Sequence, residues 1–158
     1  HCVSAMILNP TSDRTHYHLV YGTHSDEGLV VFREIERRGI EFQRAQRADA
    51  QERKKSQRTG QKGLFEGREL VARAYEDELQ ERYRPRAAQR LDAMLWERGE
   101  VSWDALVVEA LHVPMIAEAD VKRWVKERQA QGAVEVLGLA PRARVPQRGA
   151  GHRVRRLG

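Results

Sequence analysis

The sequence predicts an α+β fold that is mostly helical and ends in a winged helix-turn-helix domain. Near the start of the chain, a strand-like run of aromatic and β-branched residues, Tyr17–Thr23, precedes an amphipathic stretch. In the last third, the apolar spacing changes at Gly132 from a period of about 3.6 to a period of about 2, as when helices give way to a hairpin. We therefore expect a strand and helix in residues 1–40, a basic helical or flexible linker in 41–67, and a helix with a winged domain in 68–158.

The first unit consists of one predicted strand and one predicted helix. Ser25 or Asp26 is placed to accept a backbone N–H bond as the N-cap of the helix. Its apolar positions are Leu29, Val30, Val31, Phe32 and Ile35. Because a lone strand leaves both edges unpaired, we expect this unit to belong to a larger sheet whose other strands lie upstream or in another chain. The chain begins at His1 rather than Met, which agrees with the tail of a longer protein.

The predicted linker is polar and basic. Ile40 to about Lys55 is expected to be helical, and the composition of Ser56–Gly63 predicts a mobile loop. The run Arg53–Lys55, with Arg58 and Lys62, has two interpretations: it grips nucleic acid, or it is a solvated linker, which we favour.

Local signals divide the next part of the chain into short elements. After a helix over about Arg68–Arg82, Pro85 is predicted to begin another helix, which Gly99 ends. Glu100 and Val101 are expected to form a short strand, and Ser102 to cap the following helix. The predicted core face of the helix after Pro85 is Ala87, Ala88, Leu91, Met94 and Leu95.

Two further helices and a tight turn complete the predicted helix-turn-helix. A helix over Trp103–Leu111 ends at His112–Pro114, because proline lacks a donor and restricts its predecessor. The next helix, about Glu118 to Gln131, is the candidate recognition helix, with Val121, Trp124 and Val125 on one face. Trp96, Trp103 and Trp124 are all expected to be core residues rather than stacking platforms.

The end of the chain predicts a basic wing. Ala133–Leu137 and His152–Leu157 are expected to pair as antiparallel strands. Six arginines and no acidic residues follow Glu135, a composition suited to phosphate contacts. The candidate nucleic-acid-binding residues are Lys122, Arg123, Lys126, Arg142, Arg144, Arg148, Arg153 and Arg155. The alternative is a basic tail that keeps the protein soluble.

Composition limits the function classes. The net charge is +5 and the sequence pI is about 9.7, so acidic partners are favoured. The single cysteine, Cys2, excludes an internal disulfide framework and a multi-cysteine zinc site in this sequence. With no apolar run long enough for a bilayer and no signal peptide, we expect a soluble, cytoplasmic protein without a membrane partner. The excess of arginine over lysine and the abundant alanine are typical of a bacterial or phage sequence.

Catalytic and metal-binding motifs are weak or absent in the sequence. Asn9 and Pro10 resemble the start of the Asn-Pro-Pro-aromatic motif of amino-methyltransferases, but the next residues do not match, and a turn is favoured. His16 and His18 share a strand face and could hold a metal with His24, but ordinary surface histidines are favoured. No phosphate loop or activated nucleophile is recognised. We therefore predict no catalytic residues and no metal or cofactor ligands in this chain.

Two stretches of the sequence resemble the three-Cys-motif partner family. YHLVYGTHSDEGLVVFREI is similar to the segment that closes the family's methyltransferase-like domain, and EADVKRWVKERQAQGAVEV followed by PRARVP is similar to its winged part. The resemblance implies that residues 1–40 end a truncated, Rossmann-like domain whose full-length parent could bind adenosylmethionine. It also implies, as a partner, a protein with a three-cysteine motif. The family's cofactor loop and catalytic motif are not in this sequence, so whether the parent is an enzyme stays open.

Two functions follow from these patterns. In the first, the chain is the nucleic-acid-binding C-terminal region of a methyltransferase-like protein, is not catalytic in isolation, and binds DNA or RNA. In the second, the winged domain docks a partner protein or the domain that precedes it. An exposed apolar patch around Trp103 or around Met115 and Ile116 would favour docking.

Overall fold

A computed structural model of the chain describes residues 1–59, 67–139 and 145–157. The fold is α+β and mostly helical, as predicted. The chain forms two compact units, unit 1 from His1 to Arg82 and unit 2 from Tyr83 to Gly158. Its elements are β1 (Cys2–Leu8), β2 (Thr15–Gly22), α1 (Asp26–Thr59), α2 (Gly67–Arg98), β3 (Glu100–Ser102), α3 (Trp103–Ala110), α4 (Glu118–Ala130), β4 (Val134–Leu137) and β5 (Arg153–Arg156).

Unit 1 begins with a β-hairpin rather than a lone strand. β1 pairs antiparallel with β2, from Cys2 opposite Gly22 to Ile7 opposite Tyr17, and the register shifts between Ile7 and Leu8. The expectation that the predicted strand lacks a neighbour within this chain is therefore wrong. The sequence of β1 does not clearly indicate a strand, because its buried residues do not alternate strictly with exposed ones. The Rossmann-like assignment of this unit stays a prediction.

The hairpin and α1 share a small core. Val3, Ala5, Met6 and Leu8 of β1 are buried, together with Leu29 and Phe32 of α1. The ring of Phe32 stacks on that of Tyr21, with centroids 4.7 Å apart. Ser25 caps the helix, as one of the two predicted alternatives, because its Oγ accepts the N–H of Gly28 at 3.2 Å.

The two long helices continue through positions where the sequence predicted a domain limit, a loop or the start of a new helix. α1 runs without a break across the predicted limit at residues 40 and 41, and it includes Ser56 to Thr59. The rest of the predicted loop, residues 60–63, lies outside the described residues. Pro85 lies inside α2, so the prediction that it begins a helix is wrong. Pro85 lies on an exposed part of α2, where its ring can be accommodated without disturbing buried neighbours.

Unit 2 follows the predicted order of elements closely. Gly99 ends α2 with a φ of 70°, and Ser102 caps α3 by accepting the N–H of Ala105 at 3.2 Å. The strands form an antiparallel sheet in the order β3-β5-β4, so the predicted pairing of the two last strands is confirmed. The core of this unit includes the buried side chains of Leu91, Leu95, Trp103, Leu106, Ile116, Val121, Trp124, Val125 and Val154.

In the part of the chain that the structure describes, no helix combines the length and apolarity needed to cross a bilayer.

Candidate nucleic-acid interface

The candidate recognition helix, α4, is held against α2 by an ion pair near each end. Near its start, Arg84 Nε donates to Asp120 Oδ1 at 2.9 Å, and Asp120 Oδ2 accepts the N–H of Ala117 at 3.0 Å. Near its end, Arg128 Nε donates to Asp92 Oδ1 at 2.9 Å, and Arg128 Nη2 donates to the other oxygen. The hydrogen bond that Arg128 donates to Asp92 raises the pKa of Arg128. These pairs, with buried Val121 and Trp124, fix which face of α4 points outward.

The outward face of α4 carries two cations between two small side chains. Ala119, Arg123, Lys126 and Ala130 are all exposed, and their spacing of four, three and four residues aligns them along the helix. We call these four residues the α4 ridge. Within the described part of the chain, neither Arg123 nor Lys126 has an acidic partner. Lys122, beside the ridge, is paired with Glu118 at 2.8 Å. Two of the three predicted α4 cations are thus available to an external anion.

Two of the three arginines of β5, Arg153 and Arg155, are paired with carboxylates. Arg155 lies directly opposite Glu100 on β3 and Glu135 on β4. It donates to Glu100 Oε2 at 2.8 Å and to Glu135 Oε1 at 3.2 Å, and Arg153 donates to Glu100 Oε1. These hydrogen bonds, from Arg155 first and then Arg153, lower the pKa of Glu100. The outer face of this sheet is therefore balanced in charge.

The described end of the wing is tied to α3. Asp104 accepts the N–H of Gly149 at 3.0 Å and lies 3.8 Å from Arg148 Nε. His152 is buried and its Nδ1 accepts the N–H of Gln147 at 2.9 Å. Two predicted phosphate-binding residues, Arg142 and Arg144, lie outside the described residues.

The net positive charge of the whole chain lies in unit 2. Residues 83–158 contain 14 of the 28 lysines and arginines but 9 of the 23 acidic residues, and this difference equals the net charge of +5. Residues 1–82 contain 14 cationic and 14 acidic residues and are balanced. Unit 2 therefore carries the whole net charge of the sequence.

Trp96 is exposed, which the sequence interpretation missed. Its relative exposure is 75%, whereas Trp103 and Trp124 are buried as predicted. The guanidinium of Arg156 lies over its ring, 4.2 Å from the centroid. Trp96 directly follows buried Leu95, and adjacent side chains on a helix point in different directions. The spacing of the buried residues along α2 would therefore have indicated that Trp96 is exposed.

The alternative sites raised by the sequence do not form a catalytic arrangement. The side-chain oxygen of Asn9 accepts the N–H of Thr11 at 3.0 Å and the hydroxyl of Ser12 at 2.9 Å, so Asn9 forms the predicted turn. His16 and His18 are exposed on β2. Among the described residues, no group of three or more potential ligands is suitable for a metal ion.

Comparison of the chain with protein-family models, curated proteins and solved structures finds no match.

Proposed function

We propose that unit 2 is a winged helix domain that binds nucleic acid through the α4 ridge. The observation that supports this most directly is the pair of exposed cations, Arg123 and Lys126, on a helix face fixed by ion pairs on its other side. Flexible cations of this kind replace condensed counterions at phosphates. The small flanking residues, Ala119 and Ala130, permit close approach along the helix.

The order of elements in unit 2 supports the winged helix assignment. A helix, a short strand, two helices and a two-stranded hairpin follow one another, with β5 between β3 and β4. In helix-turn-helix proteins, the second helix of the motif lies in the major groove. Here that helix is α4, because α3 and the turn at His112–Ala117 precede it.

Double-stranded DNA is the proposed partner rather than double-stranded RNA. The major groove of B-form DNA is about 12 Å wide and admits an α-helix. The major groove of A-form RNA is deep and narrow, and side chains cannot read it. A ridge on a helix therefore fits duplex DNA better. Arg142 and Arg144 stay predicted phosphate contacts from the wing, and membership in the three-Cys-motif partner family stays a proposal.

A salt-dependent titration tests this function. Fluorescence anisotropy of a labelled mixed-sequence DNA duplex is measured at low and physiological salt with the wild-type chain and Arg123→Ala/Lys126→Ala. Removing two phosphate contacts should weaken binding and reduce the slope of log K against log salt by about one for each cation. The control, Arg86→Ala/Arg98→Ala, removes two cations from α2 and should keep most of the affinity. No binding at low salt by a folded chain would contradict the proposal.

A second candidate function, docking of a partner protein, is favoured by exposed Trp96. The exposed apolar patch that would have favoured docking is not found at Trp103 or Ile116, because both residues are buried. If Trp96→Ala abolishes capture of a partner protein while DNA binding is absent in the wild type, the docking function replaces the first.

A further inference from the structure

Unit 1 contains a cavity of about 450 Å³ between the β1–β2 loop and the last turns of α1. One wall is the loop segment Thr11, Ser12 and Asp13. The other wall is formed by Gln51, Lys54, Lys55 and Arg58. Cavities of this size hold small molecules. No part of this cavity belongs to the interface proposed above.

The loop wall is held in place by hydrogen bonds from Arg47, which is not one of the residues that line the cavity. Buried Arg47 donates to the carbonyl of Asn9 at 2.9 Å, to the carbonyl of Ser12 at 3.2 Å and to Asp13 Oδ1 at 2.7 Å. It also donates to the buried carboxylate of Glu76 at 2.5 Å. The loop is therefore fixed before any ligand binds, which reduces the ordering cost of binding.

The helical wall continues the face of α1 that packs on the hairpin. Gln43 and Arg47 contact the hairpin or its loop, and positions 51, 54, 55 and 58 follow on the same side of the helix. Beyond Arg47 this face changes from buried to cationic. Lys54 Nζ reaches the carbonyl of Thr11 at 3.4 Å, which leaves its other protons for a ligand.

The charges of the cavity favour an anion. Lys54 and Arg58 are opposed by one acid among the lining residues, Asp13, whose Oδ1 already accepts from Arg47. In the described part of the chain, Asp13 Oδ2 accepts no hydrogen bond, so it can accept one from a ligand hydroxyl. The site thus offers donors for a phosphate beside an acceptor for an alcohol.

We propose that this cavity binds a small phosphate monoester, such as a sugar phosphate. The phosphate lies against Lys54 and Arg58, and a hydroxyl of the ester donates to Asp13. A free phosphate ion fills only part of the volume and makes no use of the carboxylate. This binding is independent of DNA binding by unit 2.

Calorimetric titration of the full chain with ribose 5-phosphate, ribose and inorganic phosphate at constant ionic strength tests the proposal. Ribose 5-phosphate should bind at least about tenfold more tightly than either of the others. Arg58→Gln should weaken this binding by about tenfold, and Arg53→Gln, which removes an exposed arginine from another face of α1, by less than about twofold. Circular dichroism confirms that both variants are folded.

Three results would overturn the proposal. The first is a failure of ribose 5-phosphate to bind more tightly than ribose or inorganic phosphate. The second is an equal effect of Arg53→Gln and Arg58→Gln. The third is a loss of duplex DNA binding in Arg58→Gln without any sugar phosphate binding in the wild type, which would assign this face to nucleic acid. Arg123→Ala/Lys126→Ala should bind ribose 5-phosphate normally, which separates this test from that of unit 2.

Discussion

Arg155 and Glu100 lie directly opposite each other on β5 and β3, joined by a hydrogen bond of 2.8 Å. The outer face of the sheet in unit 2 is thus occupied by ion pairs, although the arginines of this strand were predicted as phosphate contacts. This arrangement makes α4, rather than β5, the better-placed cationic surface for a polyanion. It also makes the stability of unit 2 depend on pH.

Glu100→Gln should reduce the stability of unit 2 at neutral pH and lose this effect in acid. The lowered pKa of Glu100 means that its stabilisation is present above its ordinary pKa of 4.5 and disappears as the pH falls through the lower value of the folded state. Urea unfolding of the wild type and the variant, from neutral pH to about pH 3, measures the difference. Glu97→Gln is the control, and a difference that persists unchanged in acid would contradict the assignment.

The double substitution Arg153→Ala/Arg155→Ala should lower the stability of unit 2 and should have only a small effect on its affinity for DNA. The two substitutions remove both ion pairs of Glu100, whereas the α4 ridge is unchanged. We expect a smaller loss of duplex affinity than for Arg123→Ala/Lys126→Ala, measured by anisotropy at the same salt concentration. A larger loss would return the main phosphate contacts to β5.

Arg47→Ala should destabilise unit 1 by about 3–5 kcal/mol, because it leaves the buried carboxylate of Glu76 without its cation. The double variant Arg47→Met/Glu76→Leu should recover much of this loss, since neither buried charge remains. Far-ultraviolet circular dichroism follows the helices of both units. Tryptophan fluorescence follows unit 2 alone, because all three tryptophans lie there. An unchanged unfolding midpoint in the dichroism of Arg47→Ala would contradict the role of this pair.

Trp103→Ala and Trp96→Ala form a matched test of the core of unit 2. Trp103 is fully buried, so its removal should cost about 3–5 kcal/mol. Trp96 is exposed and contacts Arg156, so its removal should cost less than about 1 kcal/mol. Urea unfolding followed by circular dichroism measures both, and equal losses would show that Trp96 belongs to the core.

Features with a local signal were predictable from the sequence. Gly99 and Ser102 mark a helix end and a helix start through their own conformational preferences, and both are found as predicted. Spacing along α4 similarly separates buried Val121 from exposed Lys126.

Features that depend on distant partners were not predictable. Arg47 and Glu76 are 29 residues apart, and no local pattern links them. The pairing of Arg153 and Arg155 with Glu100 was missed for the same reason. The partners of a strand's arginines can be identified only when its neighbouring strands are known. The continuity of α2 through Pro85 was also missed, because the expectation that proline begins a helix rests on its local preference alone.

Protection of the α4 ridge by DNA is the most direct test of the central claim. In a Cys2→Ser background, single cysteines are introduced at Ala130 on the ridge and at Ala93, an exposed position on α2. Their alkylation rates are then compared with and without saturating DNA duplex. We predict that DNA slows alkylation of Ala130→Cys by at least about tenfold and leaves Ala93→Cys unchanged. Equal rates at Ala130→Cys with and without bound DNA would contradict binding through this helix.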